Sequence, residues 1–523
     1  MPRPRHWFHA IVPAALLLVV LLPAAGVAAQ ERAGDAILAP LKALEAAGAR
    51  VGAVFAIDGK TVATLHGDAL LNPASVTKVF TAAAAVHALG PDRTFRTTAS
   101  AVGEGARVDA LVVTPGGDPT IAAGDLQELA RCVRAKGVTE AGELRVEVGP
   151  FTAESEPPAY DHKGALAPYR AGVSSFEVDR GAVTLTVSRG QPGQPPRAVL
   201  STSSDRVVVV NHAVTAAAAP ARVKGKGKGK EGRPDAVAKG RGPAMVRFAI
   251  NAEIDAEGRL VLRLSGRFTA KKPVVQSFRV PDPGGHAAGA FRSALRAAGV
   301  KVGEGTPGVP PPPTGARVLC GRESPPLRDI LVPMLKDSVN PMAETLLRLV
   351  GAHASGATPV GFAEGPRVMA AFLGDPVGLP RREFRFANGS GLYDANVVSA
   401  RATVALLHWL RTSPAGEAIL EALPSAGMDG TLKKRLKGSP LAGRLHAKTG
   451  TLDDAVTLAG LMDLPGGRAL EFAVLVNASA CPQPDTRDST CPALDRAAAR
   501  QATDAALLEA WRQYGARPPS PGN

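Results

Sequence analysis

Apolar and polar positions divide this chain into three textures. Over residues 34–47 the apolar positions recur at helical spacing. The stretch "RVGAVFAIDGKTVATLHGD" then reads as two strands joined at Asp58-Gly59, a dipeptide suited to a tight hairpin turn. A helix is predicted to open within "NPASVTKVFTAAAAVHALG", just after Pro73. From about residue 96 to 275 the pattern changes to short β-branched runs between turns, among them "ARVDALVVTPGG", "GAVTLTVSRG" and "RLVLRLSG", interrupted by one helix near 125–136. Helical spacing returns at "GGHAAGAFRSALRAAGV", breaks at the linker-like "VPPPPTGAR", and resumes around 325–372 and 399–422. The apolar runs of "RLHAKTGTLDDAVTLAGLMDL" and "RALEFAVLVNAS" turn at Pro465-Gly466-Gly467 into a second hairpin, and a helix near 495–514 follows.

This order predicts an α/β (α+β) architecture in which both ends of the chain complete one antiparallel sheet flanked by helices. That domain is expected over residues 32–96 and 276–515, with β-rich domains inserted over 97–275 and a flexible tail at 516–523. Residues 1–29 read as a secretory signal peptide: Arg3 and Arg5 precede an apolar run from Ile11 to Leu22, and Val27 and Ala29 are small residues before a cleavage point. That run is short for a membrane span, and no later segment is apolar enough. The mature chain is therefore expected to be exported to the periplasm or another extracytoplasmic space, with at most peripheral membrane association.

The chain of 523 residues carries a formal net charge of +14, which raises nucleic acid as a partner. The location of the charge argues against it. Residues 221–243, "ARVKGKGKGKEGRPDAVAKGRGP", hold eight basic and two acidic residues, with alternating glycines and no aromatic on which a base could stack. A disordered, solvated insertion is the expectation, and no nucleic-acid partner is expected. Four cysteines suit an oxidising compartment. Cys481 and Cys491 bracket a polar loop that a disulfide could close, while Cys132 and Cys320 either pair or stay free. With no HExxH motif and no Cys-x-x-Cys pair, neither a metal nor another cofactor is expected.

Three short motifs carry the candidate chemistry. Ser75 and Lys78 are three apart at a helix start, so the amine and the hydroxyl share a face near the positive helix end. A chain of this length contains about one Ser-x-x-Lys by chance, so the pair alone also fits a capping serine. In "LKDSVNPMAETLL", Ser338 and Asn340 stand before Pro341, where a capping asparagine is the simpler local reading. In "HAKTGTL", the run Lys448-Thr449-Gly450-Thr451 sits at a strand with an apolar partner strand. A fourth pattern, "GEGTPG" at 303–308, matches a dinucleotide fingerprint but runs into prolines rather than a helix, and is set aside.

Ser-x-x-Lys, Ser-x-Asn and Lys-Thr-Gly in this order resemble the motifs of the penicillin-recognising serine enzymes. The 263 positions between Ser75 and Ser338, with the phrases "GGDPTI" and "NGSGLYDANVVSA", make the chain similar to the D-alanyl-D-alanine carboxypeptidase/endopeptidase family, the low-molecular-mass class C penicillin-binding proteins. The resemblance implies a transpeptidase/β-lactamase-like domain carrying inserted domains. It also implies acyl-enzyme chemistry on peptidoglycan peptides, with acylation by β-lactams. By that resemblance Ser75 is the nucleophile and Lys78 its base, Ser338 relays the proton, and Asn340 holds Lys78 and the substrate amide. Lys448 and Thr449 bind the terminal carboxylate, Gly450 lies in the same motif, and the backbone N–H groups of Ser75 and Thr451 form the oxyanion hole. Ser390 and Gly391 shape the cleft. "VEVGPFTAESEPPAY" and "SSFEVDRG" depart from the family's phrases, which leaves the accepted peptide side chain open. A β-lactamase or esterase with the same motifs, or a non-catalytic wall-binding sensor, remains as an alternative.

Overall fold

The computed structural model describes residues 15–160, 166–217, 247–303, 305–309, 316–356, 358–393, 395–479 and 493–515. The basic run at 221–243, the Cys481–Cys491 loop and the tail at 516–523 lie outside these residues, as do the first fourteen residues of the expected leader. Among the described residues, no helix is long and apolar enough to cross a membrane.

The first sheet has five antiparallel strands in the order Leu445–Thr451, Ala455–Asp463, Ala469–Asn477, Arg50–Ile57 and Lys60–Leu65. The two ends of the chain therefore meet along the pairing of Arg50–Ile57 with Ala469–Asn477, as the two hairpins predicted. Asp58 (φ 47°) and Gly59 (φ 80°) take the two positive-φ positions of the first hairpin. The strand Ala469–Asn477 is buried at every position, because helices cover both faces of the sheet. Val54, Ala56, Ala473 and Leu475 join one core, with the helices Thr77–Leu89, Asn340–Ser355 and Ala400–Thr412. Ala53, Phe55, Phe472 and Val474 join the other, with Ile37, Leu38 and Leu41 of the helix Ala15–Ala46 and Ala506 and Leu507 of the helix Arg496–Tyr514. Strand alternation thus feeds two cores rather than one core and solvent.

The inserted region builds a second sheet in the order Lys301–Val302, Glu140–Glu147, Arg107–Thr114, Arg96–Val102 and Arg317–Glu323, with Gly305–Val309 also on Glu140–Glu147. Arg107–Thr114 runs parallel to Glu140–Glu147, which requires a crossover; the helix Ala123–Ala135 supplies it. Smaller sheets with their own apolar core follow over residues 182–279. One boundary moves. The return to the first domain, expected at 276, lies later: Ala287, Phe291 and Leu295 of the helix Pro283–Ala297 pack into the core of the second sheet, and Arg317–Glu323 forms its edge against Arg96–Val102. Helical texture marked the change of secondary structure there, not a change of core. The chain rejoins the first domain at the helix Leu327–Lys336, whose Leu327, Ile330 and Leu331 enter the core shared with Thr77–Leu89.

A disulfide joins Cys132, on the crossover helix, to Cys320, on the edge strand, across 188 residues of sequence. Closing so long a loop restricts the unfolded chain, and such a bond contributes about 2–4 kcal/mol. Replacing both cysteines by serine, or adding dithiothreitol to the wild type, is expected to lower the melting temperature of the inserted region. Identical melting curves for oxidised protein, reduced protein and the double variant would contradict this.

Candidate active site

Ser75 sits in a single 3-10 turn, Ala74–Val76, that leads directly into the helix Thr77–Leu89. The turn is pinned to the middle of the first sheet. Asn72 N donates to Asn477 Oδ1 (2.7 Å), Asn477 Nδ2 returns a bond to Asn72 O (3.1 Å), and Thr457 Oγ1 donates to Pro73 O (2.8 Å). Asn72 Oδ1 in turn accepts from Ala74 N (2.8 Å), which helps hold Ala74 at φ 45°. Two glycines permit the close approaches around this turn. A Cβ on Gly391 would lie 1.9 Å from Ala74 O, and one on Gly450 would lie 2.8 Å from Pro73 O and 2.1 Å from Thr457 Oγ1.

One helical turn on from the Ser75 turn, Lys78 is fully buried. Its Nζ lies 2.9 Å from Ser75 Oγ, 2.6 Å from Asn340 Oδ1 and 2.8 Å from Ser390 O. Three acceptors match the three hydrogens of an ammonium, and also the two hydrogens and one lone pair of a neutral amine facing a hydroxyl. Burial, with repulsion from Lys448, holds the Lys78 pKa well below the usual lysine value, and Glu344 opposes the shift.

Asn340 does not cap its helix. It is the first residue of Asn340–Ser355, Val339 occupies the capping position, and no side chain caps the end. The simpler local reading is therefore corrected: the Asn340 side chain turns inward, accepting from Lys78 and donating from Nδ2 to Tyr169 O (2.9 Å), a carbonyl of the inserted region. An amide nitrogen carries two hydrogens, so a second donor remains on Nδ2. Ser338, held at φ 60°, accepts from Lys448 Nζ at 2.8 Å.

Lys448 lies on the edge strand Leu445–Thr451 yet is fully buried, and burial pushes its pKa down to about 7. Its Nζ also donates to Thr449 O (2.9 Å), and Thr449 Oγ1 donates to Thr431 Oγ1 (2.8 Å). Thr451 ends the strand, exposed. Six of the eight residues singled out by motif are thus placed by contacts: Ser75, Lys78 and Asn340 in one hydrogen-bonded group, Ser338 and Lys448 in a second, and Gly450 packed against the Ser75 turn, while Thr449 and Thr451 follow along the same strand. Beside Ser338–Pro341 a cleft of about 510 Å³ continues between Tyr169, Thr120 and Arg180 of the inserted region.

Sequence reasoning gave Ser390 only a shaping role and passed over Glu344 and Tyr160. Residues 387–393, with Asn396, form a largely buried polar turn. Asn396 Oδ1 accepts from Ala387 N (2.8 Å), Asn388 Oδ1 accepts from Gly391 N (2.9 Å), and Thr81 Oγ1 donates to Gly389 O (2.7 Å). This turn presents the Ser390 carbonyl to Lys78. Glu344 was findable: it stands four residues after Asn340 and so on the same helix face.

The chain as a whole is similar to known proteins. A family model described as D-Ala-D-Ala carboxypeptidase 3 (S13) matches residues 32–238 and 253–500. A D-alanyl-D-alanine carboxypeptidase of Actinomadura sp. (strain R39) is 30% identical over 495 residues, covering 91% of this chain and 86% of that protein. The D-alanyl-D-alanine carboxypeptidase DacB of Haemophilus influenzae is 25% identical over 423 residues, 80% of this chain and 82% of the relative. The crystal structure of penicillin binding protein 4 (dacB) from Haemophilus influenzae superposes with a TM-score of 0.69 at 22% identity, covering 89% of this chain and 97% of that one. The same protein has been solved with a β-lactam, and that structure superposes with a TM-score of 0.65. The span matched by the family model and the 30% identity to the Actinomadura enzyme show that the chain belongs to the D-Ala-D-Ala carboxypeptidase 3 (S13) family.

Proposed function

We propose that Ser75 and Lys78 are the nucleophile and general base of this chain, acting on the peptide bond between two terminal D-alanines of a peptidoglycan stem peptide. As a member of its family the chain is a serine-type D-Ala-D-Ala carboxypeptidase and a penicillin-binding protein. The observation that carries the assignment of roles is the buried Lys78 amine, 2.9 Å from Ser75 Oγ and held from behind by Asn340 and the Ser390 carbonyl.

In the first step Ser75 Oγ attacks the carbonyl carbon as its proton passes to Lys78, an amine whose pKa burial holds well below the usual lysine value. The negative oxygen of the tetrahedral intermediate accepts from the backbone N–H groups of Ser75 and Thr451. Ser338, bridged to Lys448, gives its proton to the leaving D-alanine nitrogen as the C–N bond breaks, and takes in its place the proton that Lys78 accepted from Ser75. Lys448 and Thr449 grip the terminal carboxylate, a cation and a hydroxyl suited to that anion. The free hydrogen of Asn340 Nδ2 takes a carbonyl of the peptide. Water then cleaves the acyl-enzyme and restores Ser75. The same attack serves D-Ala-to-diamino-acid crosslinks, and β-lactams acylate the same oxygen.

Glu344, the carboxylate that acts on Lys78, accepts two backbone N–H bonds, from Gly389 and Ser390, which suits a structural group better than one that activates water for rapid deacylation. This favours a peptidase over a β-lactamase. No metal or cofactor enters these steps, and no nucleic acid is expected as a partner. Export of the mature chain is part of the proposal, supported by the leader-like residues 1–29 and by the Cys132–Cys320 bond, which an oxidising compartment sustains.

Ser75→Ala is expected to reduce D-alanine release from a pentapeptide by at least about 1,000-fold. Equal release by variant and wild type would remove Ser75 from the mechanism. A second expectation concerns pH. In the free enzyme kcat/KM falls in acid as Lys78 takes a proton, and falls again above about pH 7 as Lys448 loses the charge that grips a carboxylate. Because the two amines repel each other, both limbs belong to the pair. A substrate ending in a neutral carboxamide is expected to lose the alkaline limb and keep the acid one. Two superimposable profiles would contradict the role of Lys448.

A further inference from the structure

Of the three contacts to the Lys78 amine, one is a main-chain oxygen, Ser390 O, and a carbonyl stays in place only as well as its turn does. Glu344 fixes that turn. Its Oε1 accepts from Ser390 N at 2.8 Å and its Oε2 from Gly389 N at 3.0 Å. A third group reaches the same point from the inserted region. Tyr160 Oη lies 2.9 Å from Ser390 Oγ and donates to Glu344 Oε1 at 3.3 Å. The edge of the Tyr160 ring meets the Tyr393 ring, with centroids 5.7 Å apart.

The segment that carries Tyr160 is fastened to the helix that carries Asn340 and Glu344. Arg348, one turn after Glu344, donates to Glu154 O (2.8 Å), Thr152 O (3.3 Å) and Thr152 Oγ1 (3.1 Å). Its guanidinium lies 4.5 Å from the Phe151 ring centroid and 4.2 Å from that of Phe362. Asn340, Glu344 and Arg348 therefore form an i, i+4, i+8 stripe on one helix face. From top to bottom the stripe holds the Lys78 amine, the Ser390 turn and the inserted segment.

We propose that Tyr160 is a positioning residue for Lys78: through Ser390 and Glu344 it holds the Ser390 carbonyl on the amine, so the inserted domain sets the competence of the general base. The proposal rests on Lys78 being that base. Three electrostatic facts give it a pH signature. Lys78 faces Lys448, which disfavours its proton, and Glu344, which favours it. Glu344 faces Lys78, the Tyr160 hydroxyl and Arg348, and Arg348 also faces Glu154, Glu177 and Glu364. A hydroxyl that donates to a carboxylate favours its charged form. Removing that hydroxyl makes Glu344 easier to protonate, weakens its hold on the Lys78 proton, and lets Lys78 lose that proton at lower pH.

The test is full-length Tyr160→Phe, which keeps the ring and deletes the hydroxyl, assayed for D-alanine release across pH. The expected result is kcat lowered about 3- to 10-fold, the range one ordinary hydrogen bond supports, with KM unchanged and the acid limb displaced to lower pH. Glu344→Gln, neutral at every pH, is expected to displace the acid limb in the same direction and further. Wild-type kcat and an unmoved limb in Tyr160→Phe would overturn the proposal. So would a rise in KM alone, which marks a substrate contact rather than support of the base. Lys78→Ala separates the two layers of the account. If it is acylated by penicillin at the wild-type rate, the base assignment fails; if it is not, a failed Tyr160→Phe result counts against Tyr160 alone.

Discussion

The arrangement depends on a lysine amine with no access to water. A buried ammonium is costly, so the site of Lys78 is stable only if folding delivers partners to Nζ, and those partners are what make the amine useful. They come from three places: the adjoining Ser75 turn, the first residue of a helix 262 positions away, and a carbonyl 312 positions away. Lys448 arrives from a fourth, on the edge of the five-stranded sheet. Two buried amines near one another are worse than one, and the repulsion lowers the proton affinity of Lys78. The unfavourable electrostatics of the pocket thus lower the proton affinity of both amines, which suits the base and the anion grip proposed for them.

The inserted region touches the residues to which this chemistry is assigned. Its Tyr169 carbonyl occupies one hydrogen of the Asn340 amide, and its Tyr160 hydroxyl reaches the Ser390 turn. Tyr169, Thr120 and Arg180 wall the cleft that leaves Ser338 and Asn340. Arg348, on the helix that begins at Asn340, binds three groups on residues 152–154 and so ties the inserted segment to that helix. These contacts place the two domains in register at the amine, where a displacement of a fraction of an ångström changes a proton transfer.

Much of this was legible in the sequence wherever the cause is local or periodic. Asp58-Gly59 announced a hairpin because both positions take positive φ. The apolar runs around Pro465-Gly466-Gly467 announced a second hairpin, and Ala455–Asp463 pairs antiparallel with Ala469–Asn477. Other features depend on what folding brings together. The helix Pro283–Ala297 carries ordinary amphipathic spacing, which cannot say whose core it joins; Phe291 and Leu295 chose the second sheet. Asn340 looked like a cap because caps are read from neighbours in sequence, while its partners, Lys78 and Tyr169, lie far away in the chain. Pairing of Cys132 with Cys320 was open for the same reason. Ser390 acts through its main chain, which no side-chain pattern records.

The most direct measurement is mass spectrometry of the protein after exposure to penicillin, followed by digestion and mapping of the modified peptide. The account predicts one penicilloyl group per chain, on the peptide that contains Ser75, and none in Lys78→Ala treated for the same time. An adduct mapped to any other residue, or no adduct on a folded wild-type chain, would contradict it.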